Sequence, residues 1–203
     1  MFLANLPIYK KLSGARSASF ARQLSELITP GSAILDFGCG NMYTSLKLLQ
    51  YLPDISITGI DVIRDQNLTD ETLSHNAVKF MTYDTKALPF DNDTFDVAVA
   101  LATMHHTPDP EYYMKELKRV IKPTGHIILI EEMYINVIDK IYIMAQDWIL
   151  NKMKKGVPVP LQFRSKSQYL KQFEIQNLQI EYAGAVRPVP TFMHHYVYKL
   201  SKI

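Results

Sequence analysis

The chain is short of cysteine, of long apolar runs and of any excess of charge. Cys39 is the single cysteine in 203 residues, which excludes an internal disulfide and fits a reducing compartment. Lys and Arg number 22 against 20 Asp and Glu, a balance that gives no sign of a nucleic-acid partner, which normally leaves a basic domain or face. Six histidines accompany the one cysteine, and their spacing forms no recognisable metal-ligand set, so no metal is expected. The opening residues MFLANLPIYKK lack the basic start, apolar run and small-residue cleavage site of a secretory signal. Repeats and low-complexity segments are absent. What remains is a chain with 47% apolar and 21% charged residues, globular in composition and of a size for one domain over 1–203 with a full core. These features predict a cytoplasmic protein without integral membrane association.

The informative stretch is AILDFGCGNMY, residues 33–43. Ala33, Ile34 and Leu35 form a short apolar run suited to a strand buried on both faces. Gly38 and Gly40 then permit a sharp turn against which a ligand can lie on the main chain. Leu46, Leu48, Leu49 and Leu52 follow at helical spacing. Strand, glycine turn and helix in this order aim backbone N–H groups and a helix N-terminus at whatever binds above the strand. A second apolar run, 55–60, ends in Asp61, and an acid at that point suits hydrogen bonds from ribose hydroxyls. A nicotinamide fingerprint would want a small residue where Tyr43 stands, which disfavours an oxidoreductase.

Elsewhere, helices are predicted over 15–28, 43–52 and 69–74, with a further helix after Asp109 as N-cap and Pro110 at its first position. Strands are predicted over 77–82, 94–101 and 126–131, so that strands and helices alternate as in a parallel α/β sheet. Residues 135–153 repeat apolar positions through Ile138, Ile141, Tyr142, Ala145 and Trp148, and Lys152, Lys154 and Lys155 follow. A membrane-surface helix is one reading, but Asp139 and Asp147 and the position between strands favour a core-packing helix or active-site cover. Val157 to Pro160 forms a stiff connector, a helix covers 165–173, and strand-like runs occupy 179–182 and 192–200. His194 and His195, on the last run, read as structural.

LDFGCG followed by GID resembles the first two motifs of class I S-adenosylmethionine-dependent methyltransferases. The resemblance extends over about 32–131, through an LPF turn at 88–90 and a KPTG turn at 122–125. It implies a Rossmann-like fold with a seven-stranded, mostly parallel sheet whose last strand is antiparallel. The cofactor-binding core would span about 15–131, with a helical cover and C-terminal strands over 132–203. Met42 stands where the family most often has a third glycine, and the sequence leaves open whether its side chain crowds the methionine part of the cofactor.

The resemblance implies cofactor contacts from Gly38, Cys39, Gly40, Asp61, Val62, Asp84, Thr85 and Leu101. Asp36 would cap donors of the glycine turn and orient the cofactor indirectly, and Asp84 would meet the adenine amino group. His105 is the candidate base for a proton leaving the acceptor; Tyr9, Tyr43 and His106 are candidate acceptor contacts. The sulfonium already activates its methyl carbon, and positioning alone can contribute about 7–11 kcal/mol. The expected activity is methyl transfer to a small, hydrophobic or aromatic acceptor. No D/N-P-P-Y/F sequence follows the fourth strand, which argues against methylation of adenine in DNA. The alternative is a cofactor-binding sensor or partner protein without catalysis.

Overall fold

The computed structural model describes residues 7–151, 162–186 and 195–203, with side chains described over 14–145, 162–186 and 195–203. Seven strands form one sheet: β1 (Ala33–Phe37), β2 (Ser56–Asp61), β3 (Val78–Thr82), β4 (Phe95–Leu101), β5 (Ile121–Glu132), β6 (Leu178–Val186) and β7 (His195–Lys202). Their order is β3-β2-β1-β4-β5-β7-β6. The first five run parallel, and β7 is antiparallel to both neighbours. The expected sheet, including its antiparallel last strand, is therefore present.

Alternation along the strands divides the core into two layers. Leu35, Phe37, Ala98, Ala100, Ile127 and Leu129 face one way, where α4 (Pro110–Val120) and α6 (Lys166–Ile175) contribute Tyr113, Met114, Leu117, Tyr169 and Phe173. Ile34, Ile57, Val97, Val99, Ile128 and Ile130 face the other way, against Phe20, Leu24 and Leu48 of α1 (Pro7–Ser25) and α2 (Tyr43–Tyr51). Strands β1 and β4 are buried on both faces, which is why their sequences read as continuous apolar runs.

Local signals set several boundaries. Asp109 caps α4 by accepting from the N–H groups of Glu111 and Tyr112 at 3.0 Å, and Thr69 caps the short α3 (Asp70–Leu73). Three expectations shift. Helix α1 begins at Pro7 rather than residue 15 and ends at Ser25, because residues 7–14 contain nothing to break a helix beyond Gly14, which costs only about 1 kcal/mol. Strand β5 begins at Ile121, with residues 122–125 looped out between the pairs Phe95–Ile121 and Val97–His126. Lys122 closes this bulge through Asp96, 2.7 Å away. Helix α5 (Val137–Asn151) buries Ile143 but leaves Val137, Ile138, Ile141 and Tyr142 exposed, as is Ile135 just before it, so its first turns present an apolar face to solvent rather than to the core. The expected connector at Val157 to Pro160 and the residues of the last strand before His195 lie outside the described residues.

Candidate functional site

The order reverses between β1 and β4, and the crevice beyond their carboxyl ends is where ligands bind in open α/β sheets. Gly38 occupies that crevice with φ of +70°, and a Cβ there would lie 2.1 Å from Cγ2 of Thr103. Only glycine fits both the backbone and the gap. The Thr103 hydroxyl donates to the carbonyls of Leu101 and Gly38 at 3.1 and 3.3 Å, tying the segment after β4 to the turn after β1. Thr103 was not among the residues expected from sequence.

The N–H groups of the turn are not all left for a ligand. Those of Gly38 and Cys39 donate to the Ile60 carbonyl at 2.8 and 3.2 Å. That of Gly40 donates to Asp61 Oδ2 at 2.9 Å, while Val62 N–H donates to Asp61 Oδ1 at 2.7 Å. Asp61 thus bridges the two turns that face the crevice. A carboxylate offers about four lone-pair sites, so after two N–H bonds Asp61 retains capacity for the ribose hydroxyls of an adenosine group. The space where a Cβ of Gly40 would project is open.

The side chain of Met42 is directed away from the upper surface of the turn. The residue adopts φ of +58° and its side chain is 1% exposed, turned down into the layer between α2 and the sheet. It reaches Gly59: a Cβ at that position would lie 2.6 Å from Met42 Cε and 2.8 Å from Cys39 Sγ. Both side chains fill the space beneath the turn, leaving its upper surface to main chain. Burial, and then the charges of Asp36 and Asp61, push the Cys39 thiol far above its ordinary pKa, so it is a protonated packing group.

Asp36 is also beneath the turn, almost fully buried. It accepts a short hydrogen bond from the Ser45 hydroxyl of α2, so it holds the helix rather than N–H groups of the turn. Burial lifts its carboxyl to about 6, the Ser45 hydrogen bond opposing and the charge of Asp61 adding to the lift.

Asp84 and Thr85 follow β3 and remain at the surface. Asp84 accepts from the Lys86 N–H and pairs with its ammonium, both at 3.2 Å, and these bonds hold its carboxyl below the usual range. Thr85 has φ of +64°, and the Tyr113 hydroxyl donates to its carbonyl. Phe37, Tyr83 and Tyr113 form an aromatic cluster beside this loop, with centroids 5.2–6.3 Å apart.

His105 and His106 sit on a single 3-10 turn, Met104–His106, after β4. His105 is 2% exposed, with its ring 4.3 Å from Phe163 and 4.0 Å from His106 between centroids. Its Nδ1 lies 2.6 Å from Oε1 of Glu131, and Glu131 Oε2 accepts the Met104 N–H at 2.8 Å. Glu131 is fully buried; it clamps the turn and orients the imidazole, and it too was missed from sequence. The next residue, Glu132, lies 3.1 Å from Nε2 of buried His195 across the β5-β7 ladder. Burial would raise Glu132, but His195, His105 and Arg16 together hold it below its ordinary pKa. The paired acids ending a buried strand were the available signal for both contacts.

Tyr43 is exposed at the start of α2 and His106 is half-buried. The side chains of Tyr9 and Trp148 and all of His194 lie outside the described residues.

A family model described as a methyltransferase domain matches residues 35–129. Over that stretch, just under half of its length, the chain is similar to methyltransferase domains. The sheet order and a solved S-adenosylmethionine-dependent methyltransferase from Aquifex aeolicus, at 18% identity and a TM-score of 0.66, agree on the fold. Two curated relatives match the same part of the chain. One is the tRNA U34 carboxymethyltransferase of Nautilia profundicola, 33% identical over 99 residues, covering 47% of this chain and 33% of that protein. The other is the 2-methyl-6-phytyl-1,4-hydroquinone methyltransferase of Synechocystis, 33% identical over 106 residues, covering 51% and 33%. The matched part thus spans about a third of each relative's length. Among solved structures, the methyltransferase in complex with the Trm112 activator of Haloferax volcanii superposes with a TM-score of 0.73 at 17% identity, covering 96% of this chain and 95% of that one. At that identity the likeness is one of fold. The matched stretch and the crevice coincide: residues 35–129 include the glycine turn, Asp61, Asp84, Thr103 and His105.

Proposed function

We propose that the chain transfers a methyl group from S-adenosylmethionine to a small hydrophobic or aromatic acceptor. The observation that carries this reading is the turn surface at Gly38 to Gly40, left clear because Met42 packs downward against Gly59, with Asp61 at its rim. Asp61 would hold the ribose hydroxyls and Asp84 the adenine amino group. Gly38, Cys39, Gly40, Val62, Thr85 and Leu101 would line the space between. Bound there, S-adenosylmethionine supplies an electrophilic methyl group. The chain's part is then to align the acceptor and exclude water. Tyr43 and His106 flank the acceptor side of the crevice in this reading, and the N-terminal helix that includes Tyr9 would close it. His105, oriented by Glu131, is the group to take a proton from a hydroxyl or activated carbon.

The near-neutral charge balance and the exposed aliphatic start of α5 favour a hydrophobic acceptor over RNA. The single cysteine supports action in a reducing compartment, and we assign the protein to the cytoplasm. No helix among the described residues is long and apolar enough to cross a membrane. The test is incubation with methyl-labelled S-adenosylmethionine and a panel of hydroquinones, sterols and transfer RNA. Label in an organic-extractable product supports the reading. Label in RNA alone overturns it, and label in nothing, from a chain that binds the cofactor, favours a sensor.

A further inference from the structure

We propose that the first turns of α5 dock the protein on an anionic lipid bilayer; this rests on the reading of a hydrophobic acceptor and names the surface that presents it. Ile135, Val137, Ile138 and Ile141 are 68, 72, 79 and 65% exposed, and Tyr142 is 40% exposed. Scattered exposed aliphatics need no account, but five within eight positions form a contiguous patch of the kind that marks an interaction surface. The same helix buries Ile143 completely, so it is apolar on the side that meets the protein and again on a side that meets solvent. A helix of that character is at home only where its second face leaves water.

Charge chooses the occupant. Lys140 lies within the patch, its Nζ 5.4 Å from the centroid of the Tyr134 ring, and Lys152, Lys154 and Lys155 follow in sequence. Over residues 135–155 there are four lysines and two acids. One of those acids, Asp139, is folded onto the first turn, where Oδ2 accepts the Ile135 N–H at 3.3 Å and the carboxylate opposes the positive end of the helix. Protein interfaces are depleted in lysine and enriched in aromatic residues and arginine. Isoleucine and valine with Lys140 among them, in a stretch that carries three more lysines in sequence, instead match the acyl boundary and the anionic headgroups of a bilayer.

Position supports the same conclusion. Strand β5 ends at Glu132, and Tyr134 bridges to Ser165 immediately before α5 begins. The helix therefore leaves from the carboxyl edge of the sheet, the edge that holds the glycine turn, Asp61 and His105. Docking α5 on a bilayer sets the mouth of the crevice towards the layer in which a lipid-soluble acceptor is dissolved.

The test is flotation of the full chain with vesicles of equal parts phosphatidylcholine and phosphatidylglycerol, with phosphatidylcholine vesicles in parallel. The comparison variant is the pair Ile138→Asp and Ile141→Asp, both on exposed positions, with an unchanged melting temperature as the control for folding. The wild type should float with the anionic vesicles and poorly with the zwitterionic ones, and salt should weaken the association. The variant should stay with the unbound fraction. A wild type that remains in solution with anionic vesicles overturns the proposal, as does a folded variant that floats equally well. A concentration-dependent dimer abolished by the same pair, with no vesicle binding, would assign the face to a second copy of the chain and likewise overturn it. Flotation needs neither cofactor nor turnover, so a failed acceptor screen leaves this result standing on its own.

Discussion

The side chain of Met42 occupies the space that a Cβ on Gly59 would need. The first sits at the entry to α2 and the second on β2, so the pair locks the glycine turn to the neighbouring strand. It also explains how a bulky residue is accommodated where the family most often has glycine. Gly59→Ala should push Met42 upward, destabilising the fold by about 1–3 kcal/mol, the usual cost of overpacking, and weakening cofactor binding. Thermal melts with calorimetric titration would check both. A neutral Gly59→Ala would contradict this account of the turn.

Met42→Gly sets two effects against each other. Removing a side chain from a left-handed conformation relieves about 1 kcal/mol of backbone strain, but emptying its buried site costs about 2–5 kcal/mol. Packing wins, so the variant should lose stability in denaturant unfolding. Its affinity for S-adenosylmethionine should stay close to that of the wild type, because the replaced atoms lie beneath the turn. A large loss of affinity with retained folding would place the Met42 side chain against the ligand instead.

Buried Asp36 makes stability depend on pH. Its carboxyl titrates at about 6 in the folded chain against 3.8 for the free group, so between those values the folded state binds more protons than the unfolded. Stability falls as pH rises through that window, by up to about 3 kcal/mol for a shift of about two units. Asp36→Asn should flatten this dependence, gaining on the wild type as pH is raised from about 4 to about 7. Unfolding curves across that range give the comparison, and parallel curves for the two proteins would refute it.

Glu131 satisfies two buried donors, His105 Nδ1 and Met104 N–H. Glu131→Ala would leave the Met104 N–H without this acceptor and should cost about 1–3 kcal/mol. If His105 takes the acceptor's proton, Glu131→Gln should lower turnover and shift its pH profile while leaving cofactor affinity unchanged. An unshifted profile would leave Glu131 a structural clamp only.

Much of the sheet was legible because its strands are buried on both faces and separated by strong punctuation. Asp109 with Pro110, and the glycine turn, carry their geometry in a few neighbouring residues. The unread features depend on contacts distant in sequence. Thr103 meets Gly38 across 65 positions, and Glu131 meets His105 across 26; neither residue has a local pattern that announces its partner. The direction of Met42 was hidden for the same reason, since a φ of +58° and the space over Gly59 that its side chain fills arise only once two strands pair. Periodicity located α5 but could not say what its apolar face meets, because a stripe of isoleucines is equally suited to a core and to a lipid surface.

The central claim is that the crevice between the glycine turn and Asp61 holds S-adenosylmethionine. Calorimetric titration of the wild type and Asp61→Ala with S-adenosylmethionine and S-adenosylhomocysteine tests it most directly, with circular dichroism confirming that both are folded. The account predicts that the wild type binds both ligands and that the variant loses most of that affinity. A folded wild type that binds neither, or a variant that binds as tightly as the wild type, would contradict it.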